Sequence, residues 1–208
     1  MHSNKELLQK AKLYLILDAS VNNNDAILKV AEEAIVAGVD IIQIRAKGLP
    51  AKYVLDLSVK IKPILRDAIL IINDRVDLTL LTDAHGVHVG QDDIPLQKAR
   101  EFVGRHMVGV SCQTLKQAQL AQEQGADYIG FGSIFKTKTK PERSPMNLDV
   151  LKEVIKNINI PVFPIGGIDL KNIAVLHDLG VRRFAVCRSI SEASNIKETV
   201  KAFRKYCE

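Results

Sequence analysis

Short runs of wholly apolar residues recur along the chain, each followed by a longer stretch in which apolar positions fall at helical spacing. The first run covers residues 13–17. Behind a cap-like polar cluster at 22–25, Ile27, Leu28, Ala31, Ala34 and Ile35 share one helical face, and Gly38 ends that helix. Further runs at 39–44, 68–72, 86–89, 107–110, 128–131, 161–165 and 183–186 predict strands. The intervening helices are expected around Leu55, Val59 and Pro63, and over 76–81, 96–102, 115–124, 148–155 and 172–179, with a last one over 196–206. Strands apolar on both faces, with helices between them, call for a parallel sheet covered on both sides. Eight such units close into an α/β fold of the (β/α)8 TIM-barrel type. An open doubly wound sheet is the alternative, but it would leave two edges exposed. No linker or low-complexity tract interrupts the pattern, so one compact domain over residues 1–208 is expected.

Composition narrows the function classes. With 47% hydrophobic and 25% charged residues, collagen-like, mucin-like and disordered chains are excluded. The net charge of +5 is modest for a nucleic-acid binder, and the basic residues form no long block, so no nucleic-acid partner is expected. No apolar run is long enough to span a membrane. Residues 1–13 mix charges with leucines and lack a signal-peptide core. Cys112, Cys187 and Cys207 are widely spaced without a CxxC pair, which reads as reduced thiols in a cytoplasmic protein.

A barrel carries its active site at the C-terminal ends of its strands, so those positions can be read in turn. After the second strand, Gln43, Arg45 and Lys47 alternate and are expected to point the same way. Inward cations are costly without an anion, and two together suit a phosphate or diphosphate. In the alternative reading, Arg45 pairs with an interior carboxylate and Lys47 reaches water. The third strand ends in Asn73-Asp74, and the fourth runs into His88-Val-Gly-Gln-Asp-Asp93. Asp74 and Asp93, with Asp92 as fallback, are the candidate carboxylate pair for Mg2+, a hard cation suited to oxygen ligands. Helix capping is the alternative for either aspartate. His88, set between two valines, also reads as a hydrogen-bonded core residue. The loop after strand six, Gly132-Ser-Ile-Phe-Lys-Thr-Lys-Thr-Lys-Pro141, has the densest anion-binding composition in the chain, with Thr137, Thr139 and Lys140 at the rim. Gly166-Gly167 after strand seven and Cys187-Arg188 after strand eight stand where this fold often binds phosphate. Two anion sites imply a reaction that joins two phosphorylated molecules, or one bisphosphorylated ligand.

In order, the motifs are Gln43-x-Arg45-x-Lys47, Asn73-Asp74, Gly86-Val-His-Val-Gly-Gln-Asp-Asp93, Gly109-Val-Ser111, Gly125-Ala-Asp-Tyr-Ile-Gly130, Thr137-Lys-Thr-Lys140 and Ile165-Gly-Gly-Ile168. Each is weak alone. The ordered set resembles the thiamine phosphate synthase family, also called thiamine-phosphate pyrophosphorylase, over nearly the whole chain. The resemblance implies a (β/α)8 barrel and a Mg2+-dependent transferase that joins hydroxymethylpyrimidine diphosphate to a thiazole phosphate, forming thiamine phosphate and diphosphate. It implies that Arg45, Lys47, Asn73 and Lys140 hold the diphosphate and that Asp74 and Asp93 bind Mg2+. Gln43 and Ser111 would address the pyrimidine, and Thr137, Thr139, Gly167, Cys187 and Arg188 the thiazole phosphate. Arg45, Lys47, Lys140 and Ser111 are the residues expected to carry catalysis. The partners implied are these two small phosphorylated substrates, and a homo-oligomer is left open. The chain departs from the family's usual pattern at Ala46, Arg75, Lys136 and Arg188. The related thiazole tautomerase is a rival, but its histidine two residues beyond the Gly-Val-Ser serine is Gln113 here. A non-catalytic phosphate-binding barrel is a second rival, and a phosphosugar isomerase or aldolase on the same fold a third.

Overall fold

The structure, a computed structural model, describes residues 4–21, 24–139 and 144–208. Eight strands, β1 (Leu13–Asp18), β2 (Ile41–Arg45), β3 (Ile69–Asn73), β4 (Gly86–Val89), β5 (Met107–Cys112), β6 (Tyr128–Phe131), β7 (Val162–Pro164) and β8 (Phe184–Val186), form one parallel sheet. Its order runs from β7 through β6, β5, β4, β3, β2 and β1 to β8, and a parallel bridge between Ile165 and Ala185 joins its ends. The expected (β/α)8 barrel is therefore the fold. Between the strands run α2 (Asn24–Val36), α3 (Ala51–Ile61), α4 (Val76–Leu81), α5 (Leu96–Val103), α6 (Leu115–Glu123), α7 (Leu148–Asn157) and α8 (Ile173–Asp178). Beyond β8 lie α9 (Arg188–Ser191) and α10 (Ile196–Arg204). Among the described residues no helix is long and apolar enough to cross a membrane, and the three cysteines are free of disulfides.

Two features depart from the periodicity. The leading α1 (Asn4–Lys10) contributes Leu8 to the barrel's inner apolar cluster beside Ile41, Ile69 and Met107, so it plugs the end opposite the strand C-termini. Strand β5 runs two residues past the predicted stretch, which puts Ser111 on a strand whose pleat aims alternate side chains inward.

Strand alternation divides the core. Leu13, Leu15 and Leu17 pack outward under the helices, whereas Tyr14 and Ile16 face in with Ile71, Tyr128, Phe163 and Ala185. The aromatic interior requires glycine on neighbouring strands. A Cβ at Gly109 would sit within the van der Waals shell of the Tyr128 ring. That ring is boxed in by Tyr14, Phe163 and His88 at centroid distances of 5.5–5.9 Å. Gly109→Ala is therefore expected to destabilise the fold by about 3 kcal/mol through overpacking, read as a lower denaturant midpoint.

Partly buried ion pairs fasten the plugged end. One Asp40 oxygen accepts from the Lys12 and Leu13 amides and from Arg204 at 2.7–2.8 Å, tying β1 to the C-terminal helix. Arg100 bonds the carbonyls of Gly104, His106 and Gly125 and pairs with Asp127, joining α5 to the loops that enter β5 and β6. With one end fastened in this way, the other is left for chemistry.

Candidate active site

The C-terminal ends of the strands surround a cavity of about 500 Å3. Gln43, Arg45, Asn73, Ser111, Thr137, Thr139, Gly167, Cys187 and Arg188 all line it. Lys140 lies outside the described residues. Lys47 and Asp93 both meet Asp74, which directly follows the cavity-lining Asn73.

Lys47 does not follow the alternation of Gln43 and Arg45. Strand β2 ends at Arg45 and the chain turns through Gly48 at φ +77°, so the side chain swings toward β3 and its Nζ meets Asp74 Oδ2 at 3.0 Å. Arg45 does point inward, and the sequence's alternative reading of it also holds. It pairs at 2.5 Å with Asp18, its register partner across β1 and β2. Asp18 is almost wholly buried and also accepts from the Ser20 amide and hydroxyl, so the arginine is oriented rather than spent. Asp18 engages the guanidinium through Nη1, and Arg45 is one of the residues that line the cavity.

Neither candidate metal-binding aspartate acts as a helix cap. The N-caps of α4 and α5 are Arg75 and Pro95, and neither helix has a side-chain cap bond. Asp74 instead occupies the left-handed region at φ +62°, a strained state for a non-glycine residue that its amide's bond to the His88 carbonyl helps hold. Its side chain reaches Asp93, whose Oδ2 accepts from the Gly90 amide at 2.7 Å. Burial pushes the Asp74 carboxyl above its ordinary value and the Asp93 carboxylate pushes it further, while Lys47 pulls it down. Two carboxyl groups this close offer oxygen ligands of the kind that suits a hard dication. Mg2+ characteristically takes one or two carboxylates and fills its remaining positions with water and phosphate oxygens.

Across the mouth, the loops after β6 and β7 lock together. The amides of Ile134 and Phe135 donate to the carbonyls of Ile165 and Gly166. Gly166 and Gly167 adopt φ values of +106° and +63°, and a Cβ on either would collide with Ser133 or with the Lys136 carbonyl. Asn172 donates to the Gly167 carbonyl at 2.8 Å and accepts from the Asp169 amide, fixing the far side of the turn. Beside this cradle stands Arg188, its Nη1 held by Glu192 at 2.5 Å and its buried Nε without a hydrogen-bond partner among the described residues. Cys187 also borders the cavity, and burial pushes its thiol pKa up to about 12, away from the thiolate form a nucleophile needs.

Sequence reading missed Asp18, Tyr14, Tyr128, Phe163 and Glu192. His88, read as either a core or a site residue, is both. It borders the cavity and is hydrogen-bonded at each ring nitrogen, to Tyr128 and to Ser111.

The chain is similar to known proteins over nearly its whole length. A family model described as thiamine monophosphate synthase matches residues 13–190. A thiamine-phosphate synthase of Fusobacterium nucleatum is 36% identical over 95% of this chain and 98% of its own length. Another, from Pelotomaculum thermopropionicum, is 41% identical over 95% and 92%. The solved structure of a thiamine phosphate pyrophosphorylase from Pyrococcus furiosus superposes with a TM-score of 0.88, at 31% identity over 97% of each chain.

Proposed function

The chain belongs to the thiamine monophosphate synthase family, and from that premise we propose that it joins hydroxymethylpyrimidine diphosphate to a thiazole phosphate, giving thiamine phosphate and diphosphate. What supports this reading is the distribution of cations, carboxylates and tight glycine turns around one mouth. Arg45, Lys47 and the Asp74–Asp93 pair stand on one side, and the Gly166–Gly167 turn, Thr137, Thr139 and Arg188 on the other.

In this reading Gln43 and Ser111 hold the pyrimidine, while Arg45, Lys47 and Asn73 hold its diphosphate, with Lys140 joining them by family resemblance. The C–O bond to the diphosphate breaks with its electron pair departing on oxygen, and the electron-rich aminopyrimidine supports the positive methylene carbon. The thiazole nitrogen then gives its lone pair to that carbon, forming the C–N bond. Asp74 and Asp93 would hold Mg2+, which when bound neutralises charge on the diphosphate. Asp18 keeps Arg45 aimed before the reaction begins, so its charge is already in place as charge builds on the leaving oxygens. No side chain need act as nucleophile, in keeping with the high pKa of Cys187. Catalysis then rests on positioning and electrostatics.

The test is diphosphate release in the presence of Mg2+, with each substrate omitted in turn. Release only when both are present is the expected result. Turnover of a single substrate would point to a tautomerase or hydrolase, and thiazole phosphate binding without release to a sensor. Either outcome overturns the proposal.

Arg188 supplies a separable prediction. Its unpartnered Nε is a charge-assisted donor beside the glycine turn. Arg188→Ser is expected to raise KM for the thiazole phosphate by roughly tenfold or more with little change in kcat, and to leave KM for the pyrimidine diphosphate unmoved. Steady-state kinetics with each substrate varied at saturation of the other would read this.

A further inference from the structure

Four successive carbonyls in the loop after β7 are committed to donors. Those of Ile165 and Gly166 accept from the amides of Ile134 and Phe135 at 2.9 Å. That of Gly167 accepts from Asn172 Nδ2 at 2.8 Å, and that of Ile168 from Ser189 Oγ at 2.5 Å. The amides of Gly167 and Ile168, by contrast, have no hydrogen-bond acceptor among the described residues. Both residues line the cavity, whereas Phe135 and Asn172 do not. A planar trans peptide directs the carbonyl of one residue and the amide of the next to opposite sides. Anchoring the Gly166 and Gly167 oxygens away from the cavity therefore turns the Gly167 and Ile168 N–H groups toward it. Successive amides arranged in this way suit an anion.

The two anchors differ in kind. The Gly166 oxygen is held by the backbone of the loop after β6, the Gly167 oxygen by a single side chain. The orientation of that side chain is dictated by its partners. A backbone carbonyl only accepts and a backbone amide only donates, so Nδ2 must face Gly167, and Oδ1 the Asp169 amide at 3.0 Å. Asn172 is also the N-cap of α8, where an asparagine oxygen ordinarily accepts from the first-turn amides of its own helix, yet it makes no such cap bond. Its side chain serves the turn rather than the helix.

We infer that Asn172 is a positioning residue for the phosphate-bearing thiazole substrate: through the Gly167 carbonyl it aims the Ile168 amide at the phosphate, while Phe135 independently aims the amide of Gly167. The identity of the ligand rests on the function proposed above. The aim of the two amides does not.

The chain has one Gly-Gly step, 166–167, and one Gly-Ile step, 167–168. Glycine labelled with carbon-13 at its carbonyl, together with nitrogen-15 glycine and isoleucine, therefore gives each of the two amides a signal of its own. Inorganic phosphate added to the full-length parent chain is expected to shift both. Asn172→Asp keeps the acceptor for Asp169 but sets an oxygen against the Gly167 carbonyl, so the Ile168 response should be lost while that of Gly167 remains. Asn172→Ala should give the same split with no added charge, and either variant suffices if the other fails to fold. In steady-state kinetics Asn172→Ala should raise KM for the thiazole phosphate roughly tenfold, with kcat and the KM for the pyrimidine diphosphate little changed. An Ile168 response that persists in the variants, or the loss of both responses as from a collapsed loop, would overturn the inference and leave the reading of the site in place. A lost Ile168 response with an unmoved KM would overturn the substrate-positioning role. Silence of both amides in the parent chain would overturn the inference together with the reading of this turn as a phosphate site.

Discussion

Asp93→Asn is expected to lower turnover by about a hundred- to a thousandfold without unfolding the protein, the scale seen when one element of charge stabilisation is removed from an active site. The amide keeps the volume and can still accept from the Gly90 amide, so the local turn persists. It cannot offer a second negative oxygen to a dication, and that is the expected loss. The linkage has the opposite sign for stability. Asp74 is held above its ordinary value of 3.8 by burial and by Asp93. A carboxyl raised on folding contributes stability that is full below its unfolded value and lost as pH rises through the folded one. Once both carboxyls are ionised, their repulsion therefore costs the metal-free protein stability, and Asp93→Asn relieves the part due to Asp93. The variant should melt no lower than the parent chain without metal, yet lose the stabilisation that Mg2+ with diphosphate confers on the parent. Thermal melts with and without Mg2+ and diphosphate, beside kinetics across Mg2+ concentrations, read both effects. Full activity in the variant would remove Asp93 from the metal pair.

The parts of this site that could be read from the sequence lie where strands end. Asp74 and Asp93 follow apolar runs at the C-terminal ends of β3 and β4, and the fold alone brings adjacent strand ends together. The eight units were legible because a parallel barrel buries both faces of every strand, so apolar runs stand out against polar connections. The same double burial hides which residues face inward. Tyr14 and Leu15 stand side by side in one apolar run, yet one faces the barrel interior and the other packs under the helices. Their difference depends on the pleat's phase, which the run 13–17 does not disclose. Asp18 was missed because its partner lies 27 residues away and meets it only through the β1–β2 register. Lys47 was misaimed because the strand stops at Arg45 and alternation fails beyond it. Four-residue α9 is shorter than any periodicity can reveal.

Arg45 was read in two ways, as an anion holder and as the partner of an interior carboxylate, and the two predict different outcomes for a pair of variants. Arg45→Met alone strands the Asp18 carboxylate, 1% exposed, with only the Ser20 amide and hydroxyl as hydrogen-bond partners among the described residues. Breaking a buried pair on one side costs about 3 kcal/mol or more, so the melting temperature should fall by roughly 10 °C for a domain of this size. Asp18→Leu combined with Arg45→Met removes both charges and fills the space with apolar atoms, and should recover most of that stability, because the desolvation penalty disappears with the pair. Activity should not return with it. If Arg45 neutralises the departing diphosphate, both variants stay about a hundredfold or more below the parent chain in kcat/KM. A stable and active double variant would reduce Arg45 to a structural partner of Asp18 and leave Lys47 as the cation of that half observed among the described residues.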